Sequence, residues 1–250
     1  MLLGEPSRTP YDLNFMLFGI PVRVHPLFWL AGLLLGRSSS GGPRLLIWMV
    51  AFSLGILCHE LGHALVMRNQ GCFSWITLYC FGGLASCDRS RATGRYPDSW
   101  RQIAVSAAGP LAGFLLAAIL VAAVIASKHH VVVEWGGHFG LSVFTTEVIG
   151  SPHVSYFVND FLFITIVYGI FNLLPVYPLD GGQIAREVLM MVFGADGIRL
   201  SLILSMLVAV SLAAYGAVKL QDYWLALFFG FFAYSSFVTL QSYDGNRPWS

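Results

Sequence analysis

The residues most able to do chemistry in this chain lie in the hexapeptide Cys58-His59-Glu60-Leu61-Gly62-His63, an H-E-x-x-H pattern. On a helix, residues four apart are separated by about 40° in projection, so His59 and His63 share one face. Two imidazoles on one face can bind a single zinc ion. Glu60 sits one residue on, near enough to reach a water at the metal without being forced to ligate it. As a carboxylate it can take the water's proton and later hand it to a leaving amine. The bland alternative is a polar patch buried between helices. Against it, the pattern falls inside an apolar stretch that begins near Leu45, where two histidines and a glutamate are costly.

Two histidines do not complete a hydrolytic zinc site, which takes three protein ligands and a water. The best third candidate stands far along the chain, in Asn172-Leu173-Leu174-Pro175-Val176-Tyr177-Pro178-Leu179-Asp180-Gly181-Gly182. Pro175 and Pro178 should end a helix and leave an extended segment. Asp180 would follow on that segment, and Gly181-Gly182 would let the backbone turn beside it. Taken alone, Asp180 reads better as the N-cap of a helix starting near Gln183. Beside the H-E-x-x-H pattern, the ligand reading is the stronger one.

These residues must be carried by membrane-crossing elements. Of 250 residues, 56% are hydrophobic and 11% charged, with a mean hydropathy of +0.70. A soluble domain carries about 25% charged residues, so there are too few here to coat a globular surface. The net charge of +1 gives no footprint for a nucleic acid. Cys58, Cys72, Cys80 and Cys87 lack paired C-x-x-C spacing and suggest no disulfide scaffold. Residues 1–15 have no apolar core of a cleaved signal peptide.

A bilayer crossing takes about 20 apolar residues. Six stretches are candidates: a short one at about Val24–Gly36, then about Leu45–Val66, Ile103–Ser127, Tyr156–Leu174, Leu200–Leu220 and Trp224–Leu240. Residues 73–86 are rich in aromatic and β-branched types and are broken by Gly82-Gly83, which reads as a strand or hairpin. Short strands are expected near Val131–Glu134 in the polar loop from Lys128 to His153. The fold class is therefore an all-α polytopic membrane protein with a short membrane-associated β element.

Six spans place both termini on one side. Arg8, Arg23, Arg68, Arg89, Arg91, Arg95, Arg101, Arg186, Arg199 and Arg247 fall on that side, and Arg37, Arg44, Lys128 and Lys219 on the other. The positive-inside rule makes the richer side cytoplasmic. His59, about 22 Å down its helix from Leu45, and Asp180 then both lie toward the cytoplasm.

With H-E-x-x-H at His59–His63 and N-x-x-P-x-x-x-L-D-G at Asn172–Gly181, the chain resembles the site-2 protease family of intramembrane zinc metalloproteases. The resemblance runs from about Phe18 to Val192. Supporting matches are Gly19-Ile20-Pro21-Val22-Arg23-Val24-His25, Phe81-Gly82-Gly83 and Ala108-Gly109-Pro110-Leu111-Ala112-Gly113. It implies that His59, His63 and Asp180 hold one Zn²⁺ and that Glu60 is the base. Asn172 would support substrate or the transition state, or instead satisfy backbone groups freed by Pro175 and Pro178. Gly82 and Gly83 lie on a segment that could hold an unwound substrate as an added strand, or merely plug the cytoplasmic mouth. His25 matches a family histidine and has either a structural role or a place lining the site.

The expectation is one membrane-embedded domain over residues 1–250, with a core at about 18–192 and extra C-terminal spans at about 200–240. It is a compact form without the PDZ or CBS domains of many members. Its partners are a transmembrane substrate and the lipid bilayer, its address a cell inner or plasma membrane. By resemblance the substrate is a membrane-bound transcription factor, an anti-sigma factor or a leftover signal peptide. The rival readings are a metal transporter and an inactive scaffold. A transporter needs polar ligands spread along its spans, whereas here they gather at one level. A scaffold would be expected to have lost Glu60 or a ligand.

Overall fold

The computed structural model describes residues 5–36, 41–80, 82–88, 98–135 and 141–245. Arg37, Arg89, Arg91, Arg95 and Arg247 of the charge count, and Phe81 of the glycine motif, lie outside them. The chain divides into two compact units, one of Leu3–Arg95 with Ala108–Ile170, the other of Tyr96–Ala107 with Phe171–Ser250.

The first unit begins with a hairpin that the sequence reading did not anticipate. Strands β1 (Leu13–Leu17) and β2 (Ile20–Val24) pair antiparallel with Leu17 opposite Ile20. The two-residue connection places both Phe18 (φ 49°) and Gly19 (φ 74°) at positive φ, the backbone that such tight hairpins require. Helix α1 (Pro26–Leu35) follows at once, with Pro26 in its first turn and His25 as N-cap, the imidazole Nδ1 accepting from the Leu27 amide at 3.2 Å. His25 thus has the structural role.

Helix α2 (Gly42–Asn69) carries the H-E-x-x-H residues. Strands β3 (Phe73–Tyr79) and β4 (Gly82–Asp88) form the expected hairpin. Because β3 also pairs in parallel with β2, a four-stranded sheet results in the order β1-β2-β3-β4. The strand alternation turns Ile20, Val22, Val24, Ile76 and Leu78 to one face. There they pack in a core with Phe28 of α1 and with Ala51, Phe52, Ile56 and Ala64 of α2.

Among the described residues, five helices are long and apolar enough to cross a membrane: α2, α3 (Ser99–Ala126), α4 (Pro152–Asn172), the stretch Asp196–Leu220 and α7 (Tyr223–Gly245). The expected first span differs. Its helix α1 has 10 residues, about 15 Å at 1.5 Å each, half of a hydrocarbon core about 30 Å thick. Helix α1 is a shorter apolar helix and by itself lacks the length of a crossing.

In lipid, helix contact comes from close packing at small residues rather than from expelling water. A Cβ on Gly62 of α2 would run into the carbonyl oxygen of Ala108 on α3, and one on Gly55 would stand 2.9 Å from Ile164 of α4. Arg44 near the start of α2 makes a two-pronged ion pair with the buried Asp160 of α4, Nη2 to Oδ1 at 2.6 Å, and lies 4.7 Å from the Tyr156 ring centroid. The two opposite charges thereby compensate each other where α2 meets α4. Strands β5 (Val131–Trp135) and β6 (Leu141–Thr145) pair in the loop where short strands were expected.

In the second unit, turns at residues 173–179 lead into α5 (Asp180–Phe193), α6 (Asp196–Tyr215), a π-helical turn (Gly216–Leu220) and α7. The helix after the proline motif starts at Asp180 itself, three residues earlier than expected, with Leu179 as N-cap. Asp180 is neither on an extended segment nor the cap. Gly181 and Gly182 are part of the first helical turn, where a Cβ would strike the backbone of Leu173 and of Val176–Tyr177 respectively. They permit a close return of the chain rather than a free turn. Ser205 of α6 accepts from the Tyr177 amide at 3.0 Å, which ties the proline segment to α6.

Candidate metal centre

Helix α2 presents His59 and His63 one turn apart, with exposures of 2% and 6%. Their Nε2 atoms are 3.1 Å apart and their rings 4.9 Å apart at 75°. Two nitrogens bound at 2.0–2.1 Å to one tetrahedral ion would be about 3.4 Å apart, so the pair is set for a shared ion. Asp180 is 9% exposed. One ligand atom from each of His59, His63 and Asp180 lies within 4.8 Å of the other two, and they are the one such group of three among the described residues. Two imidazoles and a carboxylate, all buried, are a donor set suited to zinc. The first-turn placement of Asp180 also sets its carboxylate at the positive end of the α5 dipole.

Glu60 is 4% exposed and lies against β4. A Cβ on Gly83 would collide with the Glu60 Cγ and stand 2.5 Å from its Cδ. Glycine at 83 is therefore what lets the strand lie against the carboxylate. Gly82, at φ 114°, faces Tyr168 of α4, whose hydroxyl would stand 2.5 Å from a Cβ there. Asn172 is the last residue of α4 and half-buried.

Two contributors were not recognised as site residues from sequence. Gly109 of α3 packs on the two histidines. A Cβ there would collide with Nε2 of His63 and stand 2.7 Å from Nε2 of His59. Tyr168 packs its ring edge-on to His59, centroids 4.8 Å apart at 72°. Its one sequence signal is a position four residues before Asn172, on the same helical face. The sheet order also shows where an open edge lies. β3 is flanked by β2 and β4, so the open edge beside Glu60 belongs to β4.

The second face of the sheet holds a separate polar cluster. Arg23 bonds Glu5 at 2.8 Å and Asp12 at 3.0 Å, and Thr77 donates to Glu5 at 2.7 Å. Burial pushes the Glu5 carboxyl up, but hydrogen bonds from Thr77, Arg23 and Trp75 together bring it below its ordinary value.

A membrane-crossing helix carrying two buried histidines and a glutamate, with a distant aspartate at the same point, defines a family of metallopeptidases. The chain belongs to peptidase family M50, whose model matches residues 47–215. It is 28% identical over 185 residues to a zinc metalloprotease of Methanocaldococcus jannaschii, covering 72% of this chain and 46% of that one. It is 29% identical over 192 residues to a Synechocystis sp. protein designated a candidate zinc metalloprotease, covering 71% and 44%. The chain thus spans about half the length of the curated relatives it matches. The fold is that of the solved site-2 protease from Methanocaldococcus jannaschii, with a TM-score of 0.59, 22% identity and coverage of 92% and 95% of the two chains. With five crossing-length helices among the described residues, it is a multi-pass integral membrane protein.

Proposed function

We propose that this chain is an intramembrane zinc metalloendopeptidase that hydrolyses peptide bonds in or near transmembrane segments of membrane proteins, in regulated intramembrane proteolysis or the removal of signal-peptide remnants. The observation that carries the reading is the convergence of His59, His63 and Asp180 beside the buried Glu60. Those three residues hold the ion, which supplies Lewis-acid polarisation of the scissile carbonyl. Glu60 takes the proton of the attacking water and returns it to the departing nitrogen. Asn172 supports the bound substrate or its transition state.

A substrate helix hides its carbonyls in hydrogen bonds and must be held extended. The β4 edge, which begins with Gly82 and Gly83, offers strand addition, and side-chain-free Gly83 brings that backbone to Glu60. Residues 1–250 then form one membrane-embedded catalytic domain, with its core at about 18–192. Counting the first apolar stretch at about Val24–Gly36 as a crossing, the number of spans is even. Both termini and the site face the cytoplasm from a cell inner or plasma membrane, as the split of ten basic residues against four supports.

The test is zinc content and cleavage of a transmembrane peptide in detergent for the wild type and Asp180→Ala. Loss of both is expected. One tight zinc per chain with full activity in the variant would assign the third ligand elsewhere.

A further inference from the structure

We propose that Tyr168 is a further catalytic residue, whose hydroxyl donates a hydrogen bond to the oxygen of the scissile carbonyl as that oxygen takes on negative charge. The inference rests on the hydrolase reading above and names one more group in the same site.

Three observations meet at this side chain. Its ring is fixed edge-on against His59, with centroids 4.8 Å apart, so one end of the residue touches a metal ligand. Its hydroxyl lies over Gly82, 2.5 Å from where a Cβ would be, so the other end touches the first residue of the edge strand. The next residue, Gly83, rests on Glu60. Tyr168 therefore bridges the metal ligands and the strand edge, on the side where the base also lies. A substrate backbone added to β4 at Gly82–Gly83 would pass the phenol tip before it reached the ion.

Chemistry at that place calls for a donor. Water adds its oxygen to the carbonyl carbon while Glu60 accepts its proton, and the carbonyl π pair moves onto the carbonyl oxygen. That pair then re-forms the double bond, the carbon–nitrogen bond breaks, and the proton held by Glu60 goes to the nitrogen. An acid and an amine result, with no change in the protonation of Tyr168. A donor aimed at the oxygen acts only while the charge exists, which is the condition for lowering a barrier rather than tightening binding. A ring alone would do for packing: Phe161, Phe163 and Phe171 of the same segment supply rings without a hydroxyl. The other tyrosine of α4, Tyr156, lies under Arg44.

The experiment compares wild type, Tyr168→Phe, Glu60→Gln and the double variant. The probe is a bilayer-spanning peptide with fluorophore and quencher, chosen by wild-type cleavage, in detergent. Removing one oxyanion donor costs about 10²–10³-fold in kcat. Tyr168→Phe should lose at least about 10²-fold in kcat with KM within about threefold, keep its zinc and keep its thermal midpoint. The double variant should bind the intact peptide as Glu60→Gln does. Near wild-type kcat in Tyr168→Phe, with Glu60→Gln inactive, would overturn the assignment and leave the protease reading standing. Loss of zinc or of the fold in Tyr168→Phe would also overturn it, since the hydroxyl would then be holding structure. Full activity in Glu60→Gln would instead sink the hydrolase reading itself.

Discussion

Gly109→Ala adds one methyl group at the place where α3 touches both imidazoles. The added carbon would stand 2.7 Å from Nε2 of His59 and closer still to Nε2 of His63. Ordinary van der Waals contact begins near 3.4 Å, so the His59 ring must retreat by about 0.7 Å, and the His63 ring further. Metal sites hold their bond lengths to about 0.2 Å, so the shift is several times what a bound ion tolerates. Overpacking of this kind costs about 1–3 kcal/mol. If the metal-bound geometry bears that cost, affinity falls by about 5- to 150-fold at 1.36 kcal/mol per decade. The assay is competition between the purified protein and a chelator of known zinc affinity, with cleavage measured at the same buffered zinc levels. Gly109→Ala should stay folded, bind zinc about 10- to 100-fold more weakly, and regain part of its activity in excess zinc. Wild-type zinc affinity would refute the placement of α3 against the ligand pair.

Gly83→Ala should keep its zinc, because the new methyl meets Glu60 rather than a ligand. Its turnover should fall by about 10²–10⁴-fold, the contribution of a positioned base, as read by zinc analysis beside cleavage rates. Asp160→Asn leaves Arg44 without its charge partner and should cost about 3–5 kcal/mol, read as a lowered thermal midpoint in detergent. Arg44→Met with Asp160→Met should recover most of that loss. The Thr9 hydroxyl, ahead of the Thr9 amide and Arg23, holds the Asp12 carboxyl down to about 2 from an ordinary 3.8. A lowered carboxylate stabilises fully above its unfolded value and loses that contribution as the pH falls through its folded one. Protease resistance of the N-terminal hairpin should therefore persist at about pH 5 and fade between about pH 4 and pH 2, while Asp12→Asn should lack it at neutral pH.

The site was legible where chemistry dictates both residue type and local spacing. His59 and His63 are i and i+4 on one helix, and a carboxylate behind a proline motif is an unusual thing to find between apolar spans. What the sequence could not show is contact between glycines and side chains distant along the chain. Gly83 and Gly109 have no side chain to announce a role, and their meaning comes only from Glu60, His59 and His63 across the packing. Tyr168 looks like one more aromatic in a row of them until its neighbours are known. Asp180 comes together with the two histidines, but its local setting differs from the expected one, because Gly181-Gly182 looks like a turn and is in fact a helical first turn pressed on Leu173–Tyr177. The β1–β2 hairpin escaped notice because Phe18 is an uncommon residue at positive φ, and because strand pairing is a non-local property. The same pairing leaves β4 as the open edge beside Glu60, which is where a search for substrate contacts belongs.

The central claim is that Glu60 is the base of a zinc peptidase whose metal is held by His59, His63 and Asp180. Glu60→Gln keeps the size of the side chain and removes the carboxylate. Zinc content and cleavage of a transmembrane peptide, measured on the same purified sample, test the claim most directly. The account expects one zinc per chain, an unchanged fold and at least about 10²-fold slower cleavage. Cleavage near the wild-type rate would contradict it, and loss of the zinc would show that Glu60 holds the metal rather than the proton.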